Sequence, residues 1–357
     1  MKISQLLNKQ NNNLDLIRVF LAILVIVGHT IPLNGGSESW FDPLYLFEFT
    51  YSGAFAVKLF FFISGLVVTN SYLKKNDVVY YLISRVFRIL PLLFFVLVIT
   101  VFAFGPILTR LPIANYFSEL GNFSYIWKNL LFNTKYYLPG IFNENLTPDV
   151  VNGSLWSLKY EIGCYIAVLI SFIALRQKNK YYLNIPILIV IADAFFTEGL
   201  FYHYLGDSSE INLTPASFAI GAFLAVNSDF ISINYKSVII TAILYYVFRD
   251  SHINHILLII CAASITIFIS SNKHVLKLKP KYDISYGIYL WGFLIQQTLY
   301  QYFGHLNPYL HCLLAIIITL ILGFASFVFI EKPFMTLGKN FYKKYKKLTP
   351  ETYAKQH

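Results

Sequence analysis

The chain has 357 residues, of which 57% are hydrophobic, 18% aromatic and 13% charged, and its formal charge is +10. This composition, with a mean hydropathy of +0.58, excludes an ordinary soluble domain and indicates an integral membrane protein. Nucleic-acid binding is not expected, because the basic residues lie between apolar segments rather than on one patch. Cys164, Cys261 and Cys312 lie in apolar segments without paired spacing. Neither a disulfide framework nor a metal site is therefore predicted.

The first apolar segment, residues 14–33, contains the ionisable residues Arg18 and His29. Eleven helical residues make about three turns plus 20°, so both side chains are predicted on one face, roughly 16 Å apart along the axis. No small-residue cleavage site follows, so the segment is interpreted as a retained helix rather than a signal peptide. Arg18 is either functional or reaches the lipid headgroups. His29 is either a base near neutral pH or a structural histidine between helices.

Further apolar segments follow, and the basic residues between them set the predicted topology. Of the 28 Lys and Arg residues, 22 fall on one side, which is predicted to be cytoplasmic together with both termini. Between the third and fourth segments, residues 115–132 mix aromatic side chains with Asn and Ser, which predicts an interfacial helix on the outer face. The predicted spans are about 14–33, 51–72, 80–104, 155–175, 182–200, 212–228, 235–248, 253–271, 284–303 and 309–330.

The predicted fold class is therefore all-α, a polytopic membrane helical bundle with about ten transmembrane helices. Residues 1–340 are predicted to form a single transmembrane domain, and residues 341–357 a basic cytoplasmic tail. No internal repeat or long linker indicates a second domain.

Glu161 is the next ionisable residue inside a span, about six residues into the fourth segment. Its expected depth is similar to that of His29, so its carboxylate is predicted to orient or charge the imidazole if the two helices are neighbours. The alternative is an ion pair with Lys159 or Lys58. Asp193 and Glu198, in the fifth segment, receive no predicted role.

Arg85 and Arg88 lie three residues apart at the cytoplasmic end of the third segment, on one face of a helix. Two guanidinium groups suit phosphate, because each offers a planar fork of donors and stays charged. Simple positive-inside topology is the alternative. Glu331, with the following Lys-Pro, closes the last span, where a helix stop is the alternative to a functional role.

Short motifs recur in order along these segments, and together they resemble the acyltransferase 3 family of integral membrane acyltransferases over about residues 14–334. Lys58 departs from the family pattern, since many members have an acidic residue there, and Gly292 stands where many have His. Neither position therefore carries an acid–base role here. The matching residues are Leu14, Asp15, Arg18 and His29 (LDxxR and the following His); Phe61, Phe62, Ser64 and Gly65 (FFxxSG); Arg85, Arg88 and Pro91 (RxxRxxP); Leu155 to Leu158 and Glu161 (LWSLxxE); Ser285 to Trp291 (SYGIYLW); and Glu331 to Pro333.

The resemblance implies an O-acyltransferase of the inner (cytoplasmic) membrane. It would move an acyl group, usually acetyl, from cytoplasmic acyl-CoA to a hydroxyl of an envelope glycan or lipid-linked sugar on the outer side. A separate outer-side partner transferase is an alternative end point, and membrane lipids are the other expected contacts. The implied site residues are His29 as general base or transient acyl carrier, Glu161 beside it, Arg18, Arg85 and Arg88 for the CoA phosphates, and Trp156, Ser157, Asp15 and Glu331 in supporting roles.

The alternative from another functional class is a transporter, either a flippase for a polysaccharide or lipid-linked sugar, or a small-solute exporter. Pseudo-repeated halves with discontinuous helices would favour it, and the sequence contains no such halves. The acceptor and the acyl chain are left open. Tyr116, Trp127, Tyr136 and Tyr137 of the outer stretch fit either sugar rings or an interfacial aromatic belt.

Overall fold

The structure is a computed structural model in which residues 2–35, 42, 44, 50–119, 121–175, 179–196, 209–304 and 306–348 are described. These residues form helices and loops, with one isolated β-bridge between Lys2 and Ser232. The all-α prediction is therefore confirmed for the described part of the chain. The longer helices are α1 (Leu14–Asn34), α2 (Ser52–Lys75), α3 (Val78–Ile99), α4 (Gly121–Leu130), α5 (Trp156–Ala174), α6 (Asn184–Asp193), α7 (Ser209–Val226), α8 (Tyr235–Val247), α9 (Asn254–Ser270), α10 (Ser285–Phe303), α11 (Pro308–Ser326) and α12 (Lys332–Leu348).

Short helical segments extend or connect these helices. Two are π-helical turns, which widen a helix by one residue and are frequent at functional sites. The first continues α3, and the second joins α11 to α12. The helix α12 runs without a break across residues 340 and 341, where the sequence predicts the boundary between the transmembrane domain and the basic tail. The short segments are Ile3–Leu6, Lys9–Asn11, Thr100–Phe104 (π), Gly105–Leu108, Ile113–Ser118, Gly153–Leu155, Lys180–Leu183, Lys273–Lys277 and Phe327–Glu331 (π).

Every predicted span contains a helix, and five helical stretches are long and apolar enough to cross a membrane. Others are apolar but shorter, and α10 contains several Tyr and Gln residues. The count of ten spans and the side of the termini therefore remain predictions. Asp193 ends α6, whereas Glu198 lies outside the described residues. The five stretches are Leu14–Asn34, Ser52–Lys75, Val78–Leu108, Gly153–Ala174 and Pro308–Leu348.

The predicted interfacial helix over residues 115–132 is two helices rather than one, Ile113–Ser118 and α4. In α4 the polar face is the buried one: Asn129 donates hydrogen bonds to the carbonyl oxygens of Tyr125 and Lys135, both at 2.9 Å. Trp127 on the other face is 59% exposed. An outward aromatic face of this kind suits a membrane surface.

The central helix of the bundle is α2. In the most apolar part of α2, 78% is buried inside the protein, whereas the corresponding share in the other four membrane-length stretches is 33–39%. Gly65 of α2 and Gly221 of α7 allow these two helices to touch at the backbone. A Cβ at Gly65 would fall on the carbonyl oxygen of Phe218, and one at Gly221 on that of Phe62. Small residues at such crossings are a recurrent basis of helix association in membranes.

The direction of α1 relative to α2 and α10 determines which parts of these helices lie at the same depth. It runs antiparallel to α2, with Gly28 against Gly53. It runs parallel to α10, because Arg18 pairs with Asp283 just before α10 and Gln296, well along α10, donates to the Ile26 carbonyl at 2.9 Å. The N-terminal part of α1 therefore lies level with the C-terminal half of α2 and the start of α10.

We predict that Gly65→Ala greatly lowers the amount of folded protein, because the added methyl overlaps the α7 backbone. Overpacking of this kind typically costs about 1–3 kcal/mol, and backbone is less able to move than a side chain. Gly163→Ala is the matched control, since no atom lies within 4 Å of a Cβ built there. Monodispersity and thermal unfolding of the detergent-purified variants measure the effect, and equal melting of the two variants would contradict this packing.

Candidate active site

Most of the predicted site residues line one cavity of about 470 Å³ enclosed by α1, α2, α3, α5, α10 and α12. One end is marked by Lys9, Lys281 and Lys339, which line it and are exposed to solvent. This open end carries an excess of positive charge, which favours an anionic ligand. His29, Trp156 and Glu331 lie outside the lining. The predicted residues that line it are Asp15, Arg18, Arg85, Arg88, Ser157 and Glu161.

Asp283 holds two of the predicted arginines. Its Oδ2 lies 2.6 Å from Arg18 Nη1 and 3.0 Å from Arg88 Nη2, while its Oδ1 accepts hydrogen bonds from the Ser285 amide and hydroxyl. Burial alone would raise the pKa of Asp283, but Arg18 and Arg88 outweigh it and hold the pKa at about 2. The carboxylate is therefore charged at neutral pH and joins α1, α3 and the start of α10.

Glu331 completes this ion-pair network from the opposite side. It ends the π-helical turn after α11, is 1% exposed, and its Oε2 pairs with Arg88 Nη1. Its Oε1 is buried without a hydrogen-bond partner. Arg88 thus has a carboxylate on each of its two terminal nitrogens, and its charge is largely neutralised within the protein.

Arg85 differs from its two predicted companions. Its guanidinium lies 5.8 Å from the centre of the Tyr165 ring, and its Nε makes a long 3.4 Å hydrogen bond to the Ser84 hydroxyl. Within the described residues, none of the salt bridges involves Arg85. Its charge is therefore available to a ligand in the cavity.

Glu161 belongs to a hydrogen-bonded triangle in the middle of the cavity. Its Oε1 accepts from the Ser64 hydroxyl at 2.9 Å and from the Tyr165 hydroxyl, and these two hydroxyls are 2.9 Å apart. Glu161 and Tyr165 are one helical turn apart on α5, while Ser64 comes from α2. The triangle gives the cavity a polar wall between its charged open end and its closed end.

Beyond the triangle the cavity ends at Ser157 and Tyr289, whose hydroxyls are 2.7 Å apart, and at Phe60, whose ring packs edge-on against Tyr289 at 6.1 Å. The Tyr289 hydroxyl also donates to the Ser154 carbonyl at 2.8 Å. Trp156 packs outside the cavity, edge-on against Tyr160 at 5.8 Å. This end is thus closed by aromatic rings and hydroxyl groups.

His29 lies next to this closed end. Its ring packs edge-on against Phe293 at 5.3 Å, and Phe293 is one helical turn from Tyr289 along α10. Its Nδ1 is buried without a hydrogen-bond partner, although buried polar atoms are normally paired. Arg18 lies on the cavity, and His29 sits beyond its end, about three helical turns further along α1.

The expected proximity of Glu161 to His29 is wrong. The contact between Gly28 and Gly53 fixes the register of α1 and α2, and Ser64 lies eleven residues, about 16 Å, from Gly53. Glu161, bonded to Ser64, is therefore level with the Arg18 end of α1. The error came from counting depth from each span's end, because the turn Gly153–Leu155 starts the helical stretch at the level of Phe293 and α5 then descends to Glu161.

Sequence reasoning missed Asp283 and Tyr165. Asp283 follows a loop with four lysines, which by sequence alone indicate only the cytoplasmic side. An Asp two residues before Ser285, at the start of an apolar run, is nevertheless a typical helix-start pattern. Tyr165 stands four residues after Glu161, the spacing at which helical side chains meet. Neither residue was distinguished from many similar ones until the helices were placed.

We predict that Asp283→Asn lowers thermal stability, because it leaves Arg18 without its carboxylate and Arg88 with one only. Breaking a buried pair costs several kcal/mol, and about 2–3 kcal/mol is expected for these partly accessible groups. Asp250→Asn is the control, since Asp250 pairs with Arg249 at 3.5 Å on the surface, with its side chain 91% exposed. Equal melting temperatures of the two variants in detergent would contradict the assigned role.

Comparison with known proteins is consistent with this architecture. Residues 11–329 match the family described as "Acyltransferase domain". An O-acetyl transferase of Shigella phage Sf6 is 26% identical over 344 residues, which cover 92% of this chain and 97% of that protein. Nodulation protein 10 of Rhizobium leguminosarum bv. viciae is 36% identical over 90 residues, which cover 23% of this chain and 22% of that protein. No solved structure matches.

The family match extends over most of the chain, and the apolar helices within it make this a multi-pass membrane protein. The resemblance drawn from the motifs is thereby confirmed. The chain belongs to the acyltransferase 3 family and is an acyltransferase.

Proposed function

We propose that the protein transfers an acyl group, acetyl in the simplest case, from cytoplasmic acyl-CoA to a hydroxyl of an envelope carbohydrate on the outer side of the inner membrane. The observation that carries the proposal is the cavity with a cationic open end and a closed end next to His29. Similarity to a phage O-acetyl transferase supports acetyl as the group and oxygen as its acceptor.

The donor's phosphates bind at the open end. Arg85 supplies a guanidinium without a carboxylate partner among the described residues, and Lys281 and Lys339 add exposed ammonium groups on the same rim. Arg18 and Arg88 contribute less to binding than the sequence implied, because Asp283 and Glu331 already neutralise them. Their main task in this proposal is to fix the shape of the phosphate site.

The flexible arm of the donor then runs along the polar wall formed by Glu161, Ser64 and Tyr165. An amide-containing arm needs hydrogen-bond acceptors when it leaves water, and the Glu161 carboxylate offers them. Glu161 thus acts on the donor's arm rather than on the imidazole of His29. This route runs from Arg85 toward His29. Along α1 it corresponds to most of the distance between Arg18 and His29, which is roughly 16 Å.

Transfer takes place at the closed end, with His29 as the base or as a transient acyl carrier. In the first case the imidazole takes the proton of the sugar hydroxyl, the oxygen attacks the thioester carbon, the C–S bond breaks, and the proton ends on the CoA sulfur. In the second the imidazole attacks the thioester carbon, the C–S bond breaks and CoA leaves as the thiolate. The sugar oxygen then attacks the acyl-imidazole, the C–N bond breaks, and the hydroxyl proton ends on the CoA sulfur. The buried Nδ1 without a partner fits a ring whose hydrogen bonds are completed by substrate.

The cytoplasmic assignment of the open end follows from the distribution of basic residues. Lys9, Lys281 and Lys339 all lie in the polar segments that the positive-inside rule puts in the cytoplasm, where acyl-CoA is made. The closed end then faces the outer half of the membrane, where an envelope glycan is reached.

We predict that Arg85→Gln raises the KM for acetyl-CoA at least about tenfold with little change in kcat, because a charged hydrogen bond to phosphate contributes about 1.5–3 kcal/mol. Arg249→Gln is the matched control, as Arg249 lies on an exposed loop away from the cavity. Steady-state kinetics on protein in vesicles measure both. An unchanged KM in Arg85→Gln would contradict phosphate binding by Arg85 and would leave it only the role of a positive charge that sets membrane topology.

We predict that His29→Ala lowers acyl transfer at least about a hundredfold, which is the smallest loss expected when a general base is removed. The amount of protein in the membrane should stay unchanged. His252→Ala serves as control, since His252 is exposed on a loop. Envelope glycans of cells expressing each variant are compared by mass and by base-labile ester content. Persistent esters in His29→Ala cells would refute the role given to His29.

A further inference from the structure

A second, mostly apolar groove of about 490 Å³ lies on the other side of α5 from the cavity. Its walls are α5 and α6, and its floor is formed by buried residues of α7, among them Phe218 and Ala222. It runs from Lys159 to Phe172, thirteen helical residues or about 20 Å. Gly163 lines it with no atom within 4 Å of a Cβ position. A groove of this length beside open space suits a hydrocarbon chain.

One end of the groove is positively charged. Lys159 is exposed, and its ammonium lies 4.7 Å from the centre of the Tyr160 ring. Among the described residues it belongs to no salt bridge with a carboxylate. The other residues along the groove are uncharged. A chain lying in the groove with an anionic head at Lys159 is therefore electrostatically matched.

Aromatic rings connect this charged end to the closed end of the cavity. Trp156 packs against Tyr160 at 5.8 Å, and a backbone hydrogen bond places Tyr136 near the start of α5. These three aromatic residues are together named the aromatic rim. Tyr136 is 37% exposed, and its carbonyl accepts a hydrogen bond from the Val151 amide at 3.0 Å, just before the turn that starts α5. Exposed aromatic faces in this position suit sugar rings.

We propose that this groove binds the hydrocarbon chain of a lipid phosphate that carries the acceptor sugar, with the phosphate at Lys159 and the sugar over the aromatic rim. Ser157 on the cavity and Tyr160 on the groove are three residues apart on α5. A sugar attached at Lys159 therefore reaches the closed end of the cavity across a single helix. An ordinary phospholipid would use the groove and the charge but not the aromatic rim. The inference rests on the proposed function, because it specifies the acceptor of that reaction.

The test uses the full-length protein in phosphatidylcholine vesicles and a polyisoprenyl phosphate bearing a benzophenone near its phosphate. We expect ultraviolet cross-linking to the wild-type protein, reduced about tenfold in Gly163→Leu, the loss that corresponds to about 1.4 kcal/mol of binding. Ala167→Phe, a second groove-filling variant, should behave likewise. Ile170→Trp is the matched control, since Ile170 is 59% exposed on the same helix and does not line the groove.

Competition separates the two sources of a lipid phosphate. Unlabelled polyisoprenyl phosphate should displace the probe, and phosphatidylglycerol at the same concentration should not. Equal displacement by phosphatidylglycerol, or unchanged cross-linking in both folded groove-filling variants, overturns the proposal.

Acyl-transfer assays distinguish this failure from that of the proposed function. Gly163→Leu should lose transfer to a lipid-linked glycan and keep transfer to the same glycan without its lipid. A wild-type protein that acylates neither acceptor contradicts the proposed function, whereas equal loss with both acceptors contradicts the groove assignment alone.

Discussion

Charged side chains from distant parts of the chain meet at the open end of the cavity, and the arrangement of the helices there depends on them. Asp283 joins Arg18 to Arg88, and Arg88 reaches on to Glu331. A charge removed from water needs a partner, so none of these groups is satisfied unless α1, α3, α10 and the turn after α11 come together. The same pairing leaves Arg85 as the guanidinium open to a ligand.

This network also gives Arg85 and Arg88 different roles. Arg85 and Arg88 are three residues apart on one helix, and by sequence alone each is equally suited to phosphate. In the folded protein Arg88 is held between two carboxylates, while Arg85 lies over the Tyr165 ring. Equivalent positions on a helix face thus acquire different chemistry from the neighbouring helices.

The helix α5 has a similar dual character. One face carries Ser157 and Glu161 into the cavity, and the other carries Tyr160 and Gly163 into the apolar groove. Its start lies level with His29 and its middle with Arg18. In the proposed reaction, donor and acceptor approach the same point from opposite sides of this helix, the donor from the charged end of the cavity and the acceptor across the aromatic rim.

The sequence by itself determined the helical class, the place of each apolar segment, and the residues that bear ionisable groups inside them, because burying backbone in lipid requires helices and because hydropathy is a local property. It also determined that Arg18 and His29 share one face. Only the tertiary structure decided that Glu161 lies with Ser64 and Tyr165 rather than beside His29, that Asp283 pairs with Arg18, and that a π-helical turn presents Glu331 to Arg88. These outcomes depend on the register between helices, which close contacts such as Gly28 on Gly53 set, and no local pattern encodes that register.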